Sequence, residues 1–195
     1  MEYLRKLRGS EQVAAICYRI GNAGIEFLLV RTRGRRWTFP KGSVESGLTH
    51  AQAAALEAYE EAGVHGRIEE AAFARYVRIK PGRNRRSPQI EIVINAHLCE
   101  VSRLAEPEEA NRNPKWFSAE KAKRRLHEDR PTDYGDDLAR IVDRAVARIQ
   151  RVYRAANRTP SAVRKAEVIE IDNARLTAVS MKALRAHNRA RRRGP

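Results

Sequence analysis

PKGSVESGLTHAQAAALEAYEEAGV, residues 40–64, is a glycine turn followed by a run of strong helix formers, and inside that run stand Glu57, Glu60 and Glu61. Thr49 and Gln52 have the spacing of a capping box and Gly63 is placed to close the far end, so the pattern predicts a helix over 50–62. Positions i, i+3 and i+4 share one helix face, which sets the three carboxylates side by side. Like charges at that spacing repel, and a hard divalent cation relieves the repulsion. Oxygen donors with no His or Cys among them point to Mg²⁺ or Mn²⁺ rather than zinc. Ala51, Ala54, Ala55 and Ala58 give the same helix a small-residue face, suited to close packing on a sheet.

Working outward, Gln12–Ile20 and Ile25–Arg31 read as strands joined by a turn at residues 21–24, and Trp37–Phe39 as a short strand leading into Pro40, Lys41 and Gly42. Trp37 is expected in the core. Residues 73–80 and 90–101 alternate at period two and predict a hairpin whose loop carries Arg83, Arg85 and Arg86. His97, on the second of these strands, reads as a packed histidine. Trp116–Ser118 predicts a strand ending at a helix cap, with a short helix over 119–128. Leu138, Ile141, Val142, Ala145, Val146, Ile149 and Val152 recur at helical spacing and predict a long amphipathic helix over 134–153. Residues 157–161 read as a linker, and Leu176, Val179, Met181 and Leu184 as one more helix.

The chain has 195 residues, 32% charged and 42% hydrophobic, which suits one good core plus an appendage. No apolar run approaches the roughly 18 residues that span a bilayer, so no membrane partner and a cytoplasmic location are expected. Cys17 and Cys99 lie in apolar strands and are expected as buried free thiols. Of the net charge of +15, residues 151–195 contribute a surplus of nine, with twelve Lys or Arg against three acids. That charge suits polyanions: a densely charged small-molecule substrate, or nucleic acid held by the basic tail. The sequence does not fix an oligomeric state.

The 40–64 stretch resembles the Nudix hydrolase box, with Gly42, Glu57, Ala58, Glu60, Glu61, Gly63 and Val64 on the pattern. Leu48 and Leu56 depart from it: the family has Glu at the first of these positions and Arg at the second. In the family both are structural, so the resemblance implies an intact metal site on an altered support. Replacing a whole buried ion pair by apolar groups is often neutral or stabilising, and Leu48 is therefore expected to touch Leu56 or share one apolar pocket with it.

The implied fold is α+β, a mixed β-sheet between helices. The implied domains are a Nudix domain over 1–155 and a basic, helical C-terminal extension over 156–195. The implied metal ligands are Gly42 through its carbonyl, Glu57, Glu60 and Glu61, with Mg²⁺ or Mn²⁺ as cofactor. Glu60 or Glu61 is the candidate base, and Glu109, from an acidic loop before Trp116, is a further candidate carboxylate. Lys41, Arg33, Arg35, Arg85 and Arg86 are the candidate substrate cations.

The order FPKG, EAYEEAGVHG, NPKWFSAEKAKRRL and a long helix is most similar to the diphosphoinositol polyphosphate phosphohydrolase subgroup and its bacterial relatives. That implies hydrolysis of inositol pyrophosphates or diadenosine polyphosphates. A degenerate Nudix domain binding nucleic acid or an acidic partner is the alternative.

Overall fold

The computed structural model describes residues 11–80, 89–158 and 168–171. Its strands are β1 (Glu11–Gly21), β2 (Gly24–Arg31), β3 (Trp37–Thr38), β4 (Lys41–Ser43), β5 (Val64–Glu69), β6 (Ala74–Lys80), β7 (Ile90–Leu104), β8 (Lys115–Ser118) and β9 (Val168–Ile171), and its helices α1 (His50–Ala62), α2 (Ala119–His127) and α3 (Thr132–Arg158). The main path of the sheet is β3-β2-β1-β7-β5-β9, with β4 on β1, β6 on β7 and β8 on β2. β1 and β7 run parallel at the centre, and the other paired strands are antiparallel. The expected α+β fold, a mixed sheet between helices, is the one observed.

Residues 13–18 of β1 are all buried because both faces of this central strand are covered. Ala14, Ile16 and Tyr18 face a core closed by α2 and α3, through Ala122, Leu126, Leu138, Ile141, Val142, Ala145 and Ile149. Val13, Ala15 and Cys17 face the other way, onto Ala53, Ala54, Ala55, Ala58 and Ala62 of α1. Alanines let the helix approach closely, so the backbone that carries the glutamates is held against the sheet. Trp37 is buried, edge-on to Phe117 at 5.0 Å. Cys17 and Cys99 are buried free thiols, and strand register makes them direct neighbours across β1 and β7. His97 is buried, with Nδ1 3.1 Å from the carbonyl of Glu69.

The C-terminal expectations need correcting. Asn157 and Arg158, expected in a linker, continue α3. Alanines 155 and 156 favour the helix, and the nearest breaker is Pro160. Val168–Ile171, expected within a helical extension, instead form β9 on β5, and Ile171 is 2% exposed in the core on the α1 side. The helix expected after residue 176 lies outside the described residues. Among the described residues no helix is long and apolar enough to cross a membrane.

Candidate active site

α1 begins and ends where the sequence places it. Thr49 Oγ1 accepts from the backbone N–H of Gln52 at 3.2 Å, and the Gln52 side chain accepts from the N–H of Thr49 at 3.0 Å. Gly63 closes the helix in the left-handed conformation, φ 63°, with its N–H donating to the carbonyl of Tyr59. The cap fixes the last turn of α1, which carries Glu60 and Glu61, against β4.

β4 pairs with β1, Val13 opposite Gly42 and Ala14 opposite Lys41. Partners across a ladder share a face, so Gly42 faces α1 and Lys41 faces the opposite side of the sheet. A Cβ built on Gly42 would lie 1.6 Å from Oε1 of Glu57, so this position admits only glycine while that carboxylate stays where it is. Glu61 is 2% exposed and both its oxygens are occupied. Oε2 accepts from the backbone N–H of Lys41 at 3.2 Å, and Oε1 meets Nη2 of Arg112 at 2.5 Å.

Arg112 is the site residue that the sequence did not mark. It lies in the loop between β7 and β8, one arginine among many, and nothing in its neighbours has the spacing of a motif. Its Nε also donates to Glu109 at 2.6 Å, and the backbone N–H of Glu109 donates to the carbonyl of Glu60 at 3.0 Å. The loop thus brings Glu109 to the end of α1. The carbonyl of Arg112 in turn accepts from Arg31 N–H at 2.6 Å, which ties the loop to β2.

These carboxylates are held in an unfavourable state. Burial first, then the charges of Glu61 and Glu60, push Glu57 up to about 7. Glu61 is pushed to about 7 by burial, against the opposing pull of Arg112 and Lys41. Burial also raises Glu60, helped by Glu108 and other acids nearby, and lowers Lys41. Strongly perturbed groups gathered at the end of a helix mark a functional site.

The donor set, carboxylates and a glycine carbonyl, suits a hard divalent ion in kind. It is not a preassembled cage: among the described residues no three His, Cys, Asp or Glu side chains converge to hold a metal. One cationic position beside Glu61 is filled by the guanidinium of Arg112.

The other expected site residues divide. Arg33 and Arg35 are exposed on the turn after β2, where Arg35 takes a positive φ of 61° and its carbonyl accepts from Arg31. Arg85 and Arg86 lie outside the described residues. Leu48 is partly buried against the core on the α1 side, and Leu56 is 9% exposed.

A mixed sheet between helices, with an acidic helix end seated on a glycine of the neighbouring strand, defines an α+β domain with its candidate site at the junction of helix and strand. The NUDIX domain model matches residues 10–136, and the chain belongs to that family. No curated protein matches it in sequence. Among solved structures it is similar in fold to a C. elegans Ap4A hydrolase binary complex, at 21% identity and TM-score 0.54, covering 72% of this chain and 98% of that one. It is also similar in fold to the E. coli dihydroneopterin triphosphate pyrophosphohydrolase, at 16% identity and TM-score 0.51, covering 69% and 95%.

Proposed function

We propose that this chain is a Mg²⁺- or Mn²⁺-dependent pyrophosphohydrolase that cleaves a diphosphate linkage in a crowded anion, such as an inositol pyrophosphate or a diadenosine polyphosphate. The observation that carries the reading is the pairing of Glu57 and Glu61. Both carboxylates are held where burial opposes their ionisation, and the charge of Glu61 opposes that of Glu57 further, a cost that a bound cation offsets. Glu57, Glu60, Glu61 and the Gly42 carbonyl are the residues that would hold the ion. Once bound, it would neutralise charge on the bridging and leaving oxygens.

The chain's own groups supply the rest. A carboxylate takes a proton from water as the water oxygen bonds to one phosphorus. The bridging P–O bond breaks, and its electron pair leaves with the departing phosphate. Both Glu61 oxygens are engaged, which makes Glu61 an anchoring group and leaves Glu60 as the carboxylate to meet water, with Glu109 beside it held through one oxygen by Arg112. Lys41 balances charge on the phosphate oxygens. The similarity to an Ap4A hydrolase lends support to the diadenosine polyphosphate branch only at the level of fold.

The test is a panel of inositol pyrophosphate, diadenosine polyphosphates, ADP-ribose and oxidised nucleotides with Mg²⁺, on the wild type and on Glu57→Gln. Turnover of a panel member by the wild type, abolished in a folded Glu57→Gln, is the expected result. No turnover of any member by the wild type would overturn the reading.

One observation favours a second reading, a degenerate domain that binds nucleic acid or an acidic partner. The guanidinium of Arg112 already neutralises Glu61. On that reading RNA binding falls steeply with salt and is indifferent to Glu57→Gln.

A further inference from the structure

α3 changes character along its length. Its acids, Asp133, Asp136, Asp137 and Asp143, all lie in the first half, and residues 144–158 hold five arginines with no acid among them. The helix dipole favours a cation in the last turn, but its effect fades within that turn and does not account for Arg144 or Arg148. Arginines three and four residues apart also repel one another, as at 144, 148, 151 and 154.

Arg148 is taken up by Glu69, 2.7 Å from its Nε. Arg144, Arg151 and Arg154 are exposed, and among the described residues none of them has a carboxylate within ion-pair distance. Acids that reach this part of the surface are engaged elsewhere, Asp143 with Lys123, and Glu100 with Arg67 and the hydroxyl of Tyr153. At offsets of seven and three residues the three arginines share the helix face opposite Leu138, Val142, Ala145 and Ile149, which lie in the core. From Arg144 to Arg154 the stripe is about 15 Å long.

We propose that this stripe is a docking surface for the phosphate backbone of a nucleic-acid strand. Guanidinium forks match phosphate oxygens, and a line of them follows successive phosphates along a strand. An anionic bilayer fits less well. A helix that lies on a membrane inserts its apolar face, and that of α3 is buried against the sheet. α3 covers the sheet face opposite α1, so a strand held here lies across the domain from Glu57, Glu60 and Glu61. The surface is additional to the candidate hydrolytic site, and the inference does not rest on the hydrolase reading. It moves the nucleic-acid contact from the basic tail to a folded helix of the domain.

The test is the fluorescence anisotropy of a short labelled single-stranded RNA titrated with the full chain over a range of salt concentrations, chelator present. The proteins are the wild type, Arg144→Gln/Arg151→Gln/Arg154→Gln, and a charge-matched Arg75→Gln/Lys80→Gln/Lys115→Gln control on β6 and β8, with thermal melts to establish folding. At about 0.7 per phosphate on a single strand, loss of three contacts should take about 2 from the slope of log K against log salt and weaken binding about 100-fold near 0.1 M salt. The control should weaken it by only a few-fold. Arg144→Gln and Arg154→Gln alone, at the two ends of the stripe, should each remove about 0.7 from the slope, and Arg144→Lys/Arg151→Lys/Arg154→Lys should keep it.

No binding of RNA by the wild type, or equal weakening in the stripe and control variants, overturns the proposal; the second result would put the contact on the tail or on general charge. Polyglutamate that displaces RNA as well, charge for charge, as unlabelled RNA does would also overturn it, because the surface would then suit an acidic protein. The hydrolase reading fails separately. RNA binding should be the same in Glu57→Gln as in the wild type, and turnover of the substrate panel alone decides whether the domain is an enzyme.

Discussion

Replacing Arg112 by alanine removes the only side chain ion-paired with Glu61 among the described residues, and Glu61 is 2% exposed in the wild type. Breaking a buried pair by deleting one partner costs roughly 3–5 kcal/mol. The low end applies here, because the Arg112 side chain is 21% exposed and its second contact, to a Glu109 side chain that is 49% exposed, is worth about 0–1 kcal/mol. The loss should depend on pH. Glu61 stands at about 7 in the wild type with Arg112 pulling it down, so removal of the guanidinium sends it higher. At pH 5 the carboxyl is mostly protonated in both proteins and the difference is small. At pH 8.5 the wild type holds a paired carboxylate, while the variant must either protonate it or bury it unpaired. Urea unfolding with chelator present should show Arg112→Ala destabilised by about 3 kcal/mol at pH 8.5 and by under about 1 kcal/mol at pH 5. The gap should narrow when Mg²⁺ is added. Equal destabilisation at both pH values would refute the reasoning, since Arg112 would then be acting through packing rather than charge.

Three further outcomes follow from the same geometry. Gly42→Ala puts a Cβ 1.6 Å from Oε1 of Glu57 and should lower kcat by about 100-fold or more while far-ultraviolet circular dichroism is unchanged, because a misplaced ligand is enough to lose that factor. Glu57 and Glu61 have folded-state values near 7, above the 4.5 of a free carboxyl, so they bind more protons folded than unfolded. Their contribution to stability is full below 4.5 and is lost as pH rises through about 7. The Tm without divalent metal should therefore fall across that window, recover with Mg²⁺ at pH 8, and fall less in Glu57→Gln. Ile171→Ala should cost about 2–4 kcal/mol in denaturant unfolding, and a cost near zero would refute the pairing of β9 with β5.

Where local chemistry decides the outcome, the sequence was readable. The cap at Thr49, the alanine face and Gly63 act within a few residues of one another, and α1 has the predicted bounds. The long α3 was visible because its apolar spacing repeats over several turns. β5 and β9 are not legible because each is short and gains its stability from partners distant in sequence: β5 lies between β7 and β9, and among the described residues β9 pairs only with β5. The four residues of β9 have no hairpin partner beside them, and apolar residues on either side of them invite a helical reading. The glutamates could be named because a helix sets their spacing. Arg112 could not, because it reaches Glu61 from a loop distant in sequence.

Arg112 shows how an altered motif can remain electrostatically complete. The box position that carries arginine in the family is Leu56 here, and an apolar residue there takes a cation away from the acidic helix. Without Arg112, a Glu61 that is 2% exposed would keep, among the described residues, the backbone N–H of Lys41 and the more distant charge of its side chain. The guanidinium arrives instead from the loop between β7 and β8, where it also holds Glu109. A cation on a loop differs from one on the helix in an important respect. The helical residue is fixed by the backbone that carries the carboxylates, whereas Arg112 is held by its loop, through Arg31 N–H on its carbonyl at 2.6 Å and its own N–H on the carbonyl of Glu109 at 3.1 Å. The support for Glu61 and the acid Glu109 are then tied to one residue. Arg112→Lys separates these roles: it preserves the charge and loses the fork, so it should keep most of the stability at pH 8.5 while lowering kcat more than it raises KM.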